Sequence, residues 1–257
     1  LASTEVAVSG ADGAYRLTFP ASRKADGTPS IGKFSLRADA LGYATFPSGL
    51  RVALPVDVGV PTKAADGTYV VKNTSTDIGL DAIDAAGLGT VSGVVKANLP
   101  GGTLVVAGGA SGIASRDGTF TIHNVKAGSQ EVRGYLQGLQ LKPDTATVTA
   151  ATETKGVELI ADAGALATVS GDISFVNAGS QNTSVVLVVK STFNTTIARG
   201  EVPKGLRVDV SGGKYSFANV PAGQYVVLAA FENDGLVRDP DTSIGGTATQ
   251  EVTVANG

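Results

Sequence analysis

The chain has 257 residues, enough for one large domain or for two or three small domains that each bury a core. It contains 34 glycines, 10 prolines and no cysteine, which excludes disulfides and zinc–thiolate sites and favours many short strands joined by turns. The net charge of −3, with both signs scattered along the chain, offers no basic stripe for nucleic acid. Apolar runs such as 185–189 are far shorter than the about 20 residues that a membrane-spanning helix needs, so no membrane span is expected.

The first part of the chain has the turns and alternation of β-hairpins. In "SGADGAYRLTFPA" at 9–21, an Asp-Gly turn precedes apolar residues at every second position. These residues are Tyr15, Leu17 and Phe19. A second turn, in "ADGTYVV" at 65–71, predicts another hairpin. The chain starts at Leu1 rather than Met, so we expect it to be a fragment whose signal or anchor could lie upstream.

Two later stretches repeat one another. "TVSGVV" at 90–95 recurs as "TVSGDI" at 168–173, a separation of 78 residues. "DGTFTIHNVKAG" at 117–128 is matched by "GGKYSFANVPAG" at 212–223, which retains the glycine turn, the aromatic residue and the Asn-Val-x-Ala-Gly ending. The repeat predicts three successive modules, the first without its opening strand. They are module one at 1–88, module two at 89–164 and module three at 165–257.

Strand alternation assigns side chains to faces, and short connections limit the motion between modules. In "GTFTIHNV", Phe120 and Ile122 point to the predicted core, whereas His123 points to the polar face. The connections at 84–89 and 162–167 are brief and rich in small residues. We therefore expect neighbouring modules to hold a fairly fixed angle to one another, instead of moving freely on long flexible linkers.

The repeated motifs resemble the carboxypeptidase regulatory-like module, a transthyretin-like (prealbumin-like) β-sandwich. Modules two and three match that pattern over most of their length, through the V-x-G opening strand, the aromatic hairpin and the Asn-Val-x-Ala-Gly segment, which continues as "VPAGQY" in module three. Module one matches from Gly10 to about Leu54. The resemblance implies an all-β fold of tandem Greek-key sandwiches, used mainly as accessory and surface modules. It describes a fold and leaves the activity open.

Catalytic constellations are scarce in this sequence. His123 is the single histidine and is interpreted as a plain surface residue, so a zinc site built on two or three histidines is excluded. No G-x-S-x-G elbow accompanies it, which disfavours a Ser-His-Asp triad. A tryptophan-free chain with 5% aromatic residues offers little for stacking sugars in a glycosidase cleft. We predict that the chain is not an enzyme, with no catalytic or cofactor-binding residues.

One cluster of acids after the repeat could bind a metal ion. Carboxylates beside a glycine can supply the oxygen ligands of calcium. Their spacing does not match the EF-hand loop, Arg238 competes as a cation, and Asn-Asp-Gly also reads as a hairpin turn. The acids are therefore weak calcium candidates, and no other cofactor is expected. The four candidates are Glu232, Asp234, Asp239 and Asp241.

The sequence offers little support for two covalent modifications. An internal Lys–Asn isopeptide bond would need Lys96 and a partner such as Asn256, and module three has Asp172 instead of lysine in the matching strand. The three N-glycosylation sequons would be modified only in a eukaryotic secretory pathway. The composition, rich in Gly, Thr and Val and without cysteine, favours a bacterial surface protein instead. The sequons lie at Asn73, Asn182 and Asn194.

The leading functional hypothesis is a non-enzymatic structural or adhesive segment of a secreted or cell-envelope bacterial protein. Its partners would be proteins or polysaccharides of the envelope or extracellular matrix. One alternative is glycan or peptide binding by loops of module three, whose insertion at 191–208 has the length of an extra surface element. Another is an accessory domain of an exported peptidase whose active site lies outside this chain.

Overall fold

The computed structural model describes residues 5–30, 36–47, 61–71, 77–174, 182–196, 199–232 and 243–256. In these ranges the regular structure is β-strand, apart from one 3-10 turn at Lys190–Thr192. This confirms the predicted all-β class. No helix in the described ranges is long and apolar enough to cross a membrane.

The described part of module one is built from turns with little ladder structure. Strand β1 (Thr62–Lys63) pairs with β2 (Tyr69–Val70), which confirms the hairpin predicted at 65–71. The turn predicted within 9–21 also forms, with the Gly10 amide donating to the Ala14 carbonyl at 2.8 Å. No described residue of module one before Leu88 is fully buried.

Asp-Gly turns recur with one local geometry in modules one and two. The carboxylates of Asp26, Asp66 and Asp117 each accept the backbone N–H of the threonine two residues later, at 2.9, 2.9 and 3.0 Å. This is the Asx turn that Asp favours. Hydrogen bonds from the Ser115 hydroxyl and from Thr119 lower the pKa of Asp117 to about 2.

Module two is a sandwich of two sheets. The strands are β3 (Leu88–Lys96), β4 (Leu104–Ala107), β5 (Ala110–Ile113), β6 (Thr119–Lys126), β7 (Gly128–Tyr135), β8 (Asp144–Val148) and β9 (Glu153–Ile160). The three-stranded sheet has the order β6-β3-β9, with β9 parallel to β3, and the four-stranded sheet has the order β5-β4-β7-β8. Strand β3 pairs with the non-consecutive strands β6 and β9, and β4 pairs with β7, so connections cross between the sheets as in a Greek key.

Module three repeats this order. The strands are β10 (Ala167–Asp172), β11 (Asn182–Val189), β12 (Arg207–Asp209), β13 (Lys214–Val220), β14 (Gly223–Glu232) and β15 (Ser243–Val254). A two-stranded sheet β10-β13 faces a four-stranded sheet β12-β11-β14-β15. Phe217, Tyr225 and Leu187 are fully buried between the sheets. Among the described residues, no strand of module three stands where β9 stands in module two.

The repeated V-S-G sequence has a steric reason. Gly93 is paired with Phe120 across β3 and β6, and Gly171 is paired with Tyr215 across β10 and β13. A Cβ atom at Gly93 would come within 2.9 Å of the Phe120 ring, and one at Gly171 within 2.6 Å of the Tyr215 hydroxyl. The aromatic side chain therefore lies over the glycine of the neighbouring strand, and no larger residue fits.

The Asn-Val-x-Ala-Gly repeat contains a β-bulge. Asn124 and Asn219 have φ values of 62° and 56°, in the left-handed region that asparagine tolerates better than most residues. At both places the register between the paired strands shifts by one residue. The repeat thus conserves one backbone irregularity, and in each module that irregularity lies at a contact with the module before it.

Candidate functional site

The acidic cluster of the sequence analysis falls largely outside the described residues. Asp234, Asp239 and Asp241 are not among them, and Glu232 ends β14 at a position whose side chain is not described. In the part of the chain that is described, no group of three or more His, Asp or Glu side chains could hold a metal ion. Calcium binding by this cluster stays a prediction.

His123 lies on the polar side of β6, as alternation predicts, but it is only partly exposed. Its Nδ1 lies 3.2 Å from the hydroxyl of the buried Thr90. Burial lowers its pKa, opposed by the charges of Asp39 and Glu153. The prediction of a plain surface residue is therefore incomplete, because His123 is partly buried and is influenced by the charge of Asp39 in module one.

The side chains considered for an isopeptide bond have polar partners of their own. The Lys96 ammonium lies 2.6 Å from the Glu158 carboxylate, and both side chains are about half exposed. The Asn256 amide donates to the Asp162 carboxylate at 3.3 Å. In module three, Lys214 pairs with Asp172 at 2.6 Å, again on the surface. These are exposed ion pairs and hydrogen bonds, which contribute little to stability.

The insertion at 191–208 covers module three instead of standing away from it. Phe193 and Val202 pack against an apolar cluster on the outer face of the large sheet. The Val189 amide donates to the Glu201 carbonyl at 2.9 Å, and Leu206 is fully buried. Part of the described insertion therefore packs against module three. The cluster that it covers consists of Val186, Val188, Val226 and Leu228.

The first junction joins module one to the bulge of module two. A tight turn around Gly42 lies against Asn124, whose Oδ1 accepts the Gly42 amide at 2.8 Å. The Asn124 Nδ2 donates to the carbonyls of Tyr43 at 2.8 Å and Ala40 at 3.1 Å. One side chain therefore satisfies three backbone groups of the preceding module.

Arg37 connects all three modules next to this junction. Its guanidinium makes a two-pronged ion pair with Asp39, with the Nε atom 2.6 Å from a carboxylate oxygen. It also donates to the carbonyl and the hydroxyl of Ser111 in module two, at 2.9 and 3.0 Å. In module three, the Glu201 carboxylate lies 3.0 Å away. Burial alone would lower the pKa of Arg37, but the two carboxylates raise it.

The second junction repeats the turn-on-bulge arrangement between modules two and three. The Gly138 amide donates to the Asn219 carbonyl at 2.9 Å, and the Gln137 side chain donates to the Ala218 carbonyl at 2.8 Å. The Oε1 of buried Gln140 accepts the Ala222 amide at 2.8 Å. Here the bulge contributes its backbone, whereas at the first junction it contributes a side chain.

A continuous apolar layer distinguishes the second junction. Strand β4 is buried on both faces, so its residues alternate between two cores. Val105 lies in the core of module two, whereas Leu104 and Val106 join Tyr135 in the buried cluster of module three. The Tyr135 ring meets Tyr225 edge to face, with 5.8 Å between the ring centroids. The four-stranded sheet of module two is therefore shared by two cores.

The sequence contains a signal for these junctions that lies outside the repeated strand motifs. Arg37 and Arg133 each lie five residues before the turn glycines Gly42 and Gly138. Both glycines have positive φ, 80° and 82°, and the following amides close equivalent turns onto Ala40 and Leu136. Comparing these segments would have shown that the turn belongs to the repeat.

No protein-family model and no curated protein matches the chain. Solved structures similar to it include a candidate carbohydrate-binding protein from Bacteroides uniformis, 8% identical, with a TM-score of 0.22 over 65% of this chain and 99% of that one. A streptococcal ancillary pilin is 10% identical, with a TM-score of 0.25 over 80% and 70% of the two chains. A DUF3823 family protein from Parabacteroides merdae is 14% identical, with a TM-score of 0.24 over 65% and 98%. At these TM-scores no function is transferred from them.

Proposed function

We propose that the chain is a non-enzymatic structural segment, a stiff spacer of tandem β-sandwich modules in a secreted or cell-envelope protein. The observation that carries the proposal is the sheet shared by modules two and three. Leu104, Val106 and Tyr135 of module two are at most 4% exposed and lie in the cluster that also holds the core of module three. Separating the two modules would expose this surface to water, so they stay together.

The hydrogen bonds at the second junction fix the angle that the apolar layer leaves open. Apolar contact is non-directional, whereas the bonds from Gln137 and Gly138 and to Gln140 require one orientation. Arg37 adds a third support, because it reaches Ser111 and Glu201 from module one. Stiffness of this kind suits a segment that holds other parts of a protein at a fixed separation.

Within this proposal the modules are of the carboxypeptidase regulatory-like type. The support is the glycine beneath an aromatic residue in β3 and β10, together with the bulge that follows in β6 and β13. A bacterial cell surface or extracellular matrix, with protein or polysaccharide partners, is the setting proposed for such a spacer.

Distance measurements between spin labels test the stiffness directly. The chain has no cysteine, so the double variant Lys155→Cys, Thr253→Cys carries one exposed label in module two and one in module three. Pulsed dipolar spectroscopy should give one narrow distance distribution that is unchanged by moderate salt. Adding Tyr135→Ala should broaden it. A broad distribution in the unmodified background would contradict the spacer proposal.

A further inference from the structure

The first and last strands of module two are neighbours that run in the same direction. Strand β9 pairs with β3 in parallel at six positions, from Thr90 opposite Glu153 to Lys96 opposite Ile160. Two parallel strands begin at one end of their sheet and finish at the other. The chain therefore enters module two at one end of this pair and leaves at the other, with the paired length between the two points.

The two junctions between modules lie at those opposite ends. Asn124, which contacts module one, lies in β6 opposite the start of β3, between the partners of Gly89 and Val91. The chain that leaves β9 is held beside the second junction, where the Asp162 amide donates to the carbonyl of Gln140 at 2.9 Å. Tension carried along the chain would therefore pull β3 and β9 lengthwise, in opposite directions.

Backbone hydrogen bonds hold β3 along both of its edges. Strand β6 pairs with it at six positions on the side opposite β9. At the ends of the β3-β9 ladder, the Ala151 amide donates to the Leu88 carbonyl at 2.8 Å and the Ala161 amide donates to the Lys96 carbonyl at 3.1 Å. A lengthwise shift of β3 displaces every pair by the same distance, so these bonds must break together.

Side chains on both faces of the pair oppose the same movement. Four apolar residues on the core face are at most 4% exposed, and two polar contacts of 2.6 Å join the strands on the outer face. A slip of one residue would turn the apolar side chains away from the core. The core residues are Val91, Val95, Val157 and Leu159, and the polar contacts join Ser92 to Glu153 and Lys96 to Glu158.

We propose that module two carries mechanical tension, with β3 and β9 forming a clamp that is loaded in shear. In shear, all the hydrogen bonds of the pair share the load, whereas a pair peeled from one end breaks its bonds one after another. Forced unfolding is governed by the unfolding rate, which falls when many contacts must break at once. This role rests on the proposed spacer function, because a spacer that transmits tension must keep its modules folded.

Pulling the full chain along two different directions tests the clamp. The chain has no cysteine, so Ala86→Cys with Ala163→Cys places handles on exposed residues just before β3 and just after β9. The matched control is Ala86→Cys with Ala150→Cys, whose handles both lie at the end where β3 and β9 begin, so the same pair is peeled apart. In single-molecule force spectroscopy at one loading rate, the first variant should unfold at a force about twofold higher or more.

Two outcomes would overturn the proposal. One is an unfolding force that is equal in the two directions or lower for the first variant. The other is separation of β3 from β9 in several small steps when the first variant is pulled, because a clamp in shear gives way at once. Urea denaturation of both variants provides the control for stability. All handles lie in or beside module two, whereas the spin labels measure the distance between modules two and three, so the two proposals fail separately.

Discussion

The two junctions of this chain use the same backbone arrangement with different chemistry. At each one, a turn with a positive-φ glycine lies on a bulge that contains asparagine. At the first junction the contact is polar and centres on Asn124 and Arg37. At the second junction, Tyr135 and its apolar neighbours are buried in the next core, and Asn219 contributes only its carbonyl.

The difference separates two properties of a tandem array. Burial of apolar surface makes two modules unfold together, since separating them exposes that surface. Partly exposed polar contacts fix an orientation and contribute less free energy. Modules two and three should therefore behave as one cooperative unit, to which module one is held more weakly. The following substitutions test this, beginning with the largest effect.

Tyr135→Ala should remove the main apolar contact of the second junction. Truncating a fully buried aromatic residue costs about 3–5 kcal/mol, so we expect a loss of that size in the free energy of unfolding. Calorimetry should then resolve separate transitions for modules two and three. The control is Tyr43→Ala at the first junction, where the side chain is 43% exposed, and its effect should stay within about 0.5 kcal/mol. Equal losses for the two tyrosines would contradict the contrast between the junctions.

Arg37→Ala should weaken the first junction by removing the guanidinium group that pairs with Asp39 and Glu201. Hydrogen bonds to charged groups contribute about 1.5–3 kcal/mol, and the Arg37 side chain is only 19% exposed, so we expect about 2 kcal/mol. Urea denaturation gives the loss, and limited proteolysis should cut module one faster.

Arg37→Lys is the matched variant for this site. Lysine retains the positive charge, but it lacks the planar guanidinium group that contacts Ser111 and both carboxylates at once. It should recover less than half of the loss. Full recovery would show that charge alone holds module one.

Asn124→Gly and Asn219→Gly compare the two bulges directly. Glycine accepts the positive φ at both positions, so only the side-chain contacts change. Asn124→Gly should cost about 1–2 kcal/mol through its three lost hydrogen bonds, and should speed amide exchange at Gly42. Asn219→Gly should change the stability by less than about 0.5 kcal/mol. A similar loss at both positions would mean that the side chains act alike.

His123 should give the smallest effect, a dependence on pH. Its folded pKa is lowered below 6.5 by burial, so the unfolded chain binds the proton more readily. Its contribution to stability is complete above pH 6.5 and is lost as the pH falls towards the folded pKa. Urea midpoints measured between pH 7.5 and pH 5 should decline less in His123→Gln. An unchanged slope would show that acids elsewhere set the dependence.

Local features of this fold were predictable because they depend on backbone chemistry within a few residues. The Asp-Gly turns and the hairpin at 65–71 follow from the conformations that Gly and Asp favour. The repeated glycine opposite an aromatic residue follows from strand pairing between neighbouring segments. Alternation also placed Phe120 and Ile122 in the core and His123 on the other face.

The sequence alone determined an all-β chain of repeated sandwich units, since strand periodicity and turn residues act locally and recur in each unit. Only the tertiary structure decided that Leu104 and Val106 lie in the core of the next module, that the insertion covers its own sheet, and that Arg37 reaches all three modules. "LVVA" in β4 is apolar at every position, which is typical of a strand buried on both faces, but this pattern does not say which surface covers the second face. Which surface covers β4 depends on how the shapes of two folded modules fit together, and a local sequence pattern carries no information about that fit.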